Sequence, residues 1–511
     1  MKTPDLSNYT PSDILVKEPF KRLLPSEDLM VGMEKLAAAS GVAPYNEGVV
    51  KYQILSQAEF LREYNVSAHK INSIKYRPNP FNKDAEGAVH AKILSRTSIP
   101  LQSIFHLKRT VALTGKGTRK RILAANASAE QQAKFASWVE GWAQKGMEVS
   151  VSNLISADGK VGDSAIALYI SNGKFGWRAL SYEKGDILYP HYDPVSGELA
   201  LFGRKYSVRS DDGTEMVQYL DVWDTKNYMR YRYDLKGFKG LTAKAKKAVG
   251  ASPWVVDAEP TPHGYEEVPI VYDRYGEPFW AQSQDCIDKI ESTLSDLSEN
   301  NRAYALRILL AFGSDMHVTT DFDGTPSLIE SSDPNAKASF LEPADSSGSV
   351  DTQLKWLKEM AYKGSFVVET PEIKSGADLS GLAVRTMFAD SYLKGQDDAD
   401  HFYPALQRLS RLFTYGWSIE VGKSAQYADF RVELEIEPFV FMSENDDINA
   451  LVQLKGIGAI SRRTATERAT DMGLGVASEN ERILQEEHDA LLGVQPTADP
   501  NVIARSRTKA E

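Results

Sequence analysis

The stretch from Ser283 to Gly313, SQDCIDKIESTLSDLSENNRAYALRILLAFG, decides the fold. Its apolar residues recur at steps of three and four, which is the spacing that lines one face of an α-helix. Ser283 is a suitable N-cap and Gly313 a suitable stop. The sequence therefore predicts a helix over 282–312, which at about 1.5 Å per residue would run about 46 Å. A helix of that length is a strut.

The segments after this helix alternate between short strands and further helices. HVTTDFDGTPSLIE is typical of two strands joined by a turn at Asp323-Gly324, because Asp-Gly favours tight hairpins. A second helix is predicted over 350–363, and a loop follows it over 364–380. The rest is predicted as a long helix over 381–421 with a bend near Gly395 or Pro404, the strand ADFRVELEIEPFVF, helices over 443–492 and a disordered tail over 493–511.

The segments before the strut are a helix and then a run of β-type sequence. Phe135, Trp138, Val139 and Trp142 follow helical spacing within 127–145, and this aromatic stripe is predicted to be core. Residues 160–233 contain about half a dozen short apolar runs separated by turn residues, and Asn172-Gly173 is a hairpin signal. The expected class is therefore α+β with several domains.

Composition limits the function more than any motif does. The 511 residues are 42% apolar and 25% charged, with a net charge of −11, which is ordinary for a globular protein of about three domains. No apolar run reaches the roughly 20 residues of a membrane span. The N-terminus has no signal core, so the protein is expected to stay where it is made or in a particle assembled there. The single cysteine, Cys286, excludes intramolecular disulfides and cysteine-based zinc sites.

The motifs of common enzymes are missing from the sequence. It contains no complete phosphate-binding loop, no GxSxG and no HExxH. Asp397, Asp398 and Asp400 beside His401 could indicate a metal-dependent nuclease, but a solvated charge run is favoured. Residues 319–330 have calcium-loop spacing, although a plain hairpin is favoured because Thr319 replaces the first Asp and helical flanks are missing.

One further cluster is basic. It is predicted to be either a solvated loop or a surface for an anionic partner. Its members are Lys108, Arg109, Lys116, Arg119, Lys120 and Arg121.

The order of these segments resembles the portal proteins of long-tailed double-stranded DNA phages. The likeness covers roughly residues 30–490, and no single short motif carries it. The similar segments are GDSAIALYISNGKFGWRALSYEKGDILYPHYDPVSGELALFGRKYS, VWDTKNYMRYRYD, HGYEEVPIVYDRYGEP, the 283–313 stretch and SGLAVRTMFADSYLKGQDDADHFYPALQRLSRLF.

The resemblance implies a portal fold assembled as a ring of twelve copies, without a cofactor, a metal ion or catalytic residues. The implied parts are a wing (1–278 and 381–442), two stem helices (279–312 and 350–363), a small β clip (313–349), a channel loop (364–380) and a helical crown (443–492), followed by the 493–511 tail.

The resemblance also implies where DNA and partners would contact the chain. Acidic struts would keep DNA centred without gripping it, since each phosphate contact adds affinity and would slow transit. The candidate channel residues are Asp285, Asp288, Glu291, Asp296, Glu299, Glu369, Glu372 and Lys374. The stem acids could equally face solvent outside the ring, and Lys374 could be an interface charge.

The other candidates belong to the clip and the crown. Asp321, Asp323 and Glu330 are the candidates for docking partners at the clip. Lys455, Arg462, Arg463 and Arg468 are candidates for meeting packaged DNA at the crown, although ordinary solvated helix faces are as plausible.

The implied partners are further copies of the chain, double-stranded DNA in transit, major capsid and scaffolding proteins, the large terminase subunit and head–tail adaptors. No membrane is implied. The expected location is a capsid vertex of the virion, with assembly in the host cytoplasm. The alternatives are a metal-dependent nucleic-acid enzyme and another virion scaffold or adaptor protein.

Overall fold

The structure is a computed structural model of the 511-residue chain. It describes residues 10–17, 20–23, 52–55, 56–79, 81–83, 89–91, 93–123, 128–210, 215–234, 253–305, 309–312, 316–320, 326–331, 337–340, 347–369, 381–427 and 429–438, with 452, 453, 455, 465 and 466.

Helices and strands alternate irregularly along the described residues. The helices are α1 (Pro11–Ile14), α2 (Gln57–Tyr64), α3 (Leu101–Thr114), α4 (Ala129–Gln144), α5 (Met147–Val161), α6 (Gln284–Ala305), α7 (Ser347–Gly364), α8 (Gly381–Glu420) and α9 (Ser424–Tyr427). The strands are β1 (Phe20–Leu23), β2 (Tyr52–Leu55), β3 (Phe81–Lys83), β4 (Val89–Ala91), β5 (Thr118–Ile122), β6 (Ser164–Ser171), β7 (Lys174–Leu180), β8 (Ile187–Tyr192), β9 (Leu199–Arg209), β10 (Met216–Trp223), β11 (Asn227–Tyr233), β12 (Trp254–Pro262), β13 (Ile270–Asp273), β14 (Leu309–Phe312), β15 (Met316–Thr320), β16 (Pro326–Ser331), β17 (Lys337–Phe340) and β18 (Val432–Ile436).

Residues 160–233 contain six strands, β6 to β11, as the sequence predicts, and together with β12 and β13 they form two antiparallel sheets. One has the order β12-β11-β10-β9-β8 and the other the order β13-β6-β7. Asn172 and Gly173 join β6 to β7 with φ angles of 52° and 72°, and Ser171 pairs with Lys174 across the turn. Two positive φ angles in a two-residue turn are what the right-handed strand twist requires, and Asn-Gly tolerates them.

The main hydrophobic core lies where α4, α5 and α8 meet. Trp138 stacks on Trp142 with 4.9 Å between ring centroids, and the edge of Phe413 packs against both rings. The two indole groups are fully buried, and Trp138 Nε1 donates to Thr414 Oγ1 at 2.8 Å. The prediction that the aromatic stripe is core is therefore confirmed.

A second core joins the strut to the body. Phe105 of α3, Ile287 and Ile290 of α6, and Leu357 and Ala361 of α7 are buried together. Because α6 and α7 share this core with α3, their position is set by packing against the body and not by the two helices alone.

The end of the predicted 282–312 helix is wrong. The helix α6 ends at Ala305, and Leu309–Phe312 is a strand that pairs antiparallel with Lys337–Phe340. A short apolar run suits a helix or a buried strand equally well by its local pattern, and pairing with a distant strand decided between them. The small β module therefore begins before residue 313, the boundary predicted for the clip.

The later helices agree with the prediction more closely. The second stem helix runs over Ser347–Gly364, and α8 is one continuous helix over Gly381–Glu420 that includes Pro404. Residues 365–369 form no helix or strand. The remainder of the predicted channel loop, most of the predicted crown and the 493–511 tail lie outside the described residues.

The chain divides into two units. The first comprises Met1–Pro371 with Asp390–Phe439, and the second comprises Glu372–Ala389 with Val440–Glu511. Within the described residues, no helix is both long enough and apolar enough to cross a membrane.

Candidate functional site

The extended segment 93–99 runs antiparallel along α6 and is held by α6 side chains. Three backbone N–H groups donate to them: Ile99 to Glu291 Oε1 at 2.9 Å, Thr97 to Ser295 Oγ at 2.8 Å and Ser95 to Glu299 Oε2 at 3.1 Å. Alternate residues of an extended chain lie about 6.6 Å apart, and four helical residues rise about 6.0 Å. These two distances match, so α6 side chains one helical turn apart supply the hydrogen-bond acceptors that a neighbouring strand would otherwise supply.

Glu291 lies at the buried end of this ladder. Its side chain is 1% exposed, and His69 Nδ1 lies 2.6 Å from Glu291 Oε1. A carboxylate with these partners binds the body of its own chain. Glu291 therefore does not fit the prediction of a channel-facing side chain, and the spacing of acids along α6 could not reveal this.

The other acids of α6 are more open, and contacts to the body hold some of them too. Asp296 is 62% exposed and accepts from Arg77 Nη1 at 2.8 Å. Asp288 accepts from Gln284 Nε2 at 2.8 Å. Asp285 is exposed. Orientation toward a channel stays a prediction for Asp285, Asp288, Asp296 and Glu299.

A groove of about 520 Å³ opens beside these acids. Its lining carries both signs of charge, from Lys70, Lys289, Asp285 and Asp288, and it includes Cys286. Burial raises the pKa of the Cys286 thiol, so it is protonated at neutral pH and is not an activated nucleophile.

The helix α7 ends in a Schellman motif with an unusual residue. Val367 N donates to Tyr362 O at 3.1 Å and Phe366 N donates to Lys363 O at 3.0 Å. Phe366 therefore occupies the left-handed position at which helices favour glycine, with φ at 55°. This conformation costs a non-glycine residue about 1–2 kcal/mol.

The described part of the predicted channel loop, residues 365–369, is tied to three helices. Lys108 Nζ of α3 donates to Val368 O at 2.7 Å, and Ser391 Oγ of α8 donates to Phe366 O at 2.5 Å. Glu369, a predicted channel residue, forms an ion pair with Lys358 of α7. The other two loop candidates, Glu372 and Lys374, lie outside the described residues.

Only some of the clip and crown candidates lie within the described residues. Glu330 lies in β16, where it pairs with His317 of β15, whereas Asp321 and Asp323 fall outside the described residues. Lys455 is an exposed helical residue, and Arg462, Arg463 and Arg468 again lie outside that part of the chain. Their predicted roles stay predictions.

The Asp398 carboxylate forms a buried ion pair instead of a solvated charge run. Arg109 Nη2 lies 2.9 Å from Asp398 Oδ1 and 2.7 Å from Oδ2, and both residues are buried. Tyr275 OH donates to Asp398 Oδ1 at 2.9 Å. The oxygens of Asp398 are thus occupied by donors of this chain, as a structural role requires. Asp397, by contrast, is exposed.

The basic cluster is mostly not a loop, because Lys108 and Arg109 lie in α3 and Arg119, Lys120 and Arg121 lie in β5, with only Lys116 in the turn between them. Arg119 donates to Glu437 at 2.7 Å, and Arg121 donates to Glu433 on the neighbouring strand β18. Lys120 forms an ion pair with Glu148 of α5 at 2.5 Å. These bases are neutralised within the chain, which weakens the case for an anion-binding surface.

Asp158, Asp273 and His401 come together from three elements far apart in the sequence. Their ligand atoms lie within 4.8 Å of one another, so the group could hold a metal ion. However, Asp158 is fully buried beside Asp273. Its burial is the main cause that raises its pKa far above the usual range, and the hydrogen bond with Asp273 is the second cause. His401 Nε2 lies 2.9 Å from Asp273 Oδ2. We infer that the carboxyl groups of Asp158 and Asp273 share a proton. The absence of a metal site, which the sequence analysis expects, stays a prediction.

Replacing Asp158 with asparagine should flatten the pH dependence of stability. The folded protein keeps a proton on Asp158 that the unfolded chain releases near pH 4. The stabilisation is therefore complete below pH 4 and is lost as pH rises toward the folded-state pKa, at up to about 1.4 kcal/mol per pH unit. In Asp158→Asn, the amide N–H replaces the shared proton at every pH. Urea unfolding from pH 4 to 8 should show the smaller slope.

Asp193→Asn is the matched control, because the pKa of exposed Asp193 is lowered by hydrogen bonds from Ser196 and Val195. Because a lowered pKa stabilises the folded state above pH 4 and not below it, Asp193→Asn should change the stability curve only at its acidic end. Parallel stability curves for Asp158→Asn and the wild-type chain would refute the shared proton.

One family model and two solved structures are similar to this chain. The family model described as phage portal protein, SPP1 Gp6-like, matches residues 142–491, about two thirds of the chain. Among curated proteins, none matches this sequence.

Two solved structures are similar to the chain at 13% identity. One is titled "Neck of empty GTA particle computed with C6 symmetry", with a TM-score of 0.35, covering 73% of this chain and 89% of the other. The second is titled "Virion of native gene transfer agent (GTA) particle", with a TM-score of 0.30, covering 91% of this chain and all of the other.

These observations define the class of protein: an α+β chain in which two helices flank a small β module. The match over residues 142–491 then shows that the chain belongs to the phage portal protein family, SPP1 Gp6-like. Its function is that of a phage-type portal protein, which is a structural component of the virion and connects to the capsid.

Proposed function

We propose that copies of this chain form a ring at one capsid vertex, through which double-stranded DNA is packaged and later ejected. The ring would hold about twelve copies and would carry no catalytic function. Its partners would be the major capsid and scaffolding proteins, the large terminase subunit and then head–tail adaptors, with assembly in the host cytoplasm. The observation that carries the proposal is the family match over two thirds of the chain.

We assign the stem and the clip to helices and strands of the structure and keep the sequence-based bounds for the wing and the crown. The stem comprises α6 and α7, and the clip comprises the four strands β14 to β17 between them. The wing comprises residues 1–278 with 381–442, and the crown comprises 443–492. The 93–99 segment would belong to the wing, and its ladder of hydrogen bonds to α6 would join the wing to the stem.

The charges of the stem suit a channel that does not grip DNA. On α7, Lys363 pairs with Glu359 at 2.7 Å and Lys358 pairs with Glu369. On α6, exposed Asp285 and Asp296 add negative charge. Bases that are already paired release fewer counterions from DNA, which lowers the affinity of this surface for passing phosphates.

Electron microscopy of the purified chain tests the proposal directly. We expect rings with a central opening. A monomer, or an assembly without an axial opening, would contradict the proposal and would favour another kind of virion protein.

Replacing residues 321–330 with a Gly/Ser linker of the same length should leave rings but block docking of the packaging motor. The reason is that β15 and β16 pair with each other and would present this end of the clip to the motor. The measurement is DNA packaging in vitro together with ring formation. As a control, the same treatment of the β8–β9 turn, residues 193–197, should preserve both. Normal packaging by the clip variant would remove the docking role.

A further inference from the structure

Residues 10–17 are a short segment with local structure of its own. Pro11–Ile14 is one helical turn, and Thr10 N and Thr10 Oγ1 both donate to Asp13 Oδ2, at 2.9 and 2.6 Å. Leu15 N closes the turn by donating to Pro11 O at 3.1 Å. None of residues 10–17 belongs to a β-strand. The bonds that shape the segment therefore lie within it, and the body of the chain holds it by other contacts.

Ile14 fills a pit in the five-stranded sheet. Its side chain is fully buried and packs with apolar side chains of β9, β10, β11 and β12. A Cβ atom at Gly203 of β9 would lie 2.7 Å from Ile14 Cγ2, which is closer than packed carbon atoms approach. The glycine therefore leaves the space that Ile14 occupies. Beside this pit, His191 Nε2 donates to Ile14 O at 2.8 Å.

Lys17 makes the second contact with the body. Its ammonium group pairs with Asp163, whose carboxylate is fully buried. Gln57 Nε2 donates to Asp163 Oδ1, and Tyr272 OH donates to Asp163 Oδ2 at 3.1 Å. Both donors belong to the body, so the carboxylate is oriented by groups other than Lys17. A preorganised acceptor of this kind lowers the cost of binding a ligand.

The two contacts involve parts of the body that are far apart in the sequence. The pit belongs to the five-stranded sheet, whereas Asp163 lies between α5 and β6 and is bonded to Gln57 of α2. Val16, which lies between the two anchoring residues, is 63% exposed. Recognition of the segment therefore depends on two side chains three positions apart, each in a buried site. Short peptides are anchored to proteins by such buried side chains.

We propose that the Gly203 pit and the Asp163 carboxylate form a peptide-binding site, and that residues 10–17 occupy it as a separable plug. The ligand of this site is a helical turn that carries an isoleucine and, three residues later, a lysine. Binding then does not require the covalent link between the plug and the rest of the chain. Departure of the plug would uncover the apolar pit and leave Asp163 without the Lys17 ammonium group. This inference goes beyond the proposed function and does not depend on ring formation.

Cutting the folded chain tests the proposal in the whole protein. A protease recognition sequence inserted between Glu18 and Pro19 allows residues 1–18 to be separated after folding. We expect this fragment to stay bound during gel filtration at micromolar concentration. A fluorescent peptide of residues 10–18, acetylated so that Thr10 N–H is an amide, should then replace the fragment in the cut protein and should not bind the uncut protein. Release of the fragment on cutting, failure of the peptide to replace it, or equal binding to cut and uncut protein would overturn the proposal.

Substitutions in the peptide separate binding from folding, because they leave the body of the chain unchanged. Ile14→Asp and Lys17→Ala should each weaken peptide binding at least tenfold, since each removes a buried anchor, and Val16→Ala should not. In the cut protein, Gly203→Ala places a Cβ atom against Ile14 and should weaken binding of the wild-type peptide by a similar factor. Equal affinity of the three substituted peptides would show that the two anchors do not select the ligand, and would refute the site.

Discussion

Asp398→Ala should lower the free energy of unfolding by about 3–5 kcal/mol, because it leaves a buried guanidinium without its counter-ion. Arg109 and Asp398 are joined by two short contacts to Arg109 Nη2. The pair links α3 to α8, so its loss loosens the attachment of the long helix to the body. Urea unfolding of the purified chain, followed by circular dichroism, measures the change.

Asp397→Ala provides the matched control one residue earlier. Asp397 is exposed and pairs with Lys394 across a helical turn, and such surface pairs contribute about 0–1 kcal/mol. An Asp398→Ala variant as stable as Asp397→Ala would show that the ion pair does not hold α8. Metal-dependent DNA cleavage that Asp398→Ala abolishes in a folded protein would instead revive the nuclease alternative.

Glu291→Ala should destabilise the chain by roughly 2–5 kcal/mol, since each buried group that loses its partner costs about 1–3 kcal/mol. The substitution removes the acceptor of Ile99 N and the partner of His69 Nδ1. The amide proton of Ile99 should then exchange with solvent much faster. Hydrogen exchange resolved to single amides, combined with urea unfolding, measures both effects.

Two variants locate the effect within the ladder. Ser295→Ala removes the acceptor of Thr97 N and the hydroxyl that donates to the Glu291 carbonyl, but it leaves the acceptor of Ile99 N in place. Exchange should therefore rise at Thr97 while the loss of stability stays near 1 kcal/mol. Asp296→Ala, on the exposed side of α6, should change neither amide. Protection of Ile99 that survives Glu291→Ala would mean that the 93–99 segment is held by other contacts.

Local sequence patterns predicted the elements whose conformation depends mainly on neighbouring residues. Asn172-Gly173 placed a hairpin because few other residue pairs adopt two positive φ angles. The spacing of Trp138 and Trp142 predicted a buried helix face, and both indoles are fully buried. The alternating polarity of ADFRVELEIEPFVF likewise predicted a strand, and β18 covers its middle part, Val432–Ile436.

Local patterns failed where a distant partner decided the outcome. Leu309–Phe312 continues the apolar period of the helix before it, yet it pairs with Lys337–Phe340. Glu291 has the same spacing as exposed acids of α6, but contacts from His69 and Ile99 turn it into a buried acceptor. No feature near residue 291 records either contact.

The amino-acid sequence by itself determined the family, the antiparallel sheets and the long helices, because period, turn residues and order of elements are properties of neighbouring residues. Only the tertiary structure decided which charges are buried and which are exposed. It buried Asp158, Glu291 and Asp398 and left Asp285 and Asp296 exposed, with Asp296 in contact with Arg77. The physical reason is that the state of a carboxylate depends on its burial and its donors. Arg109 for Asp398, and His69 and Ile99 for Glu291, lie more than a hundred positions away in the sequence.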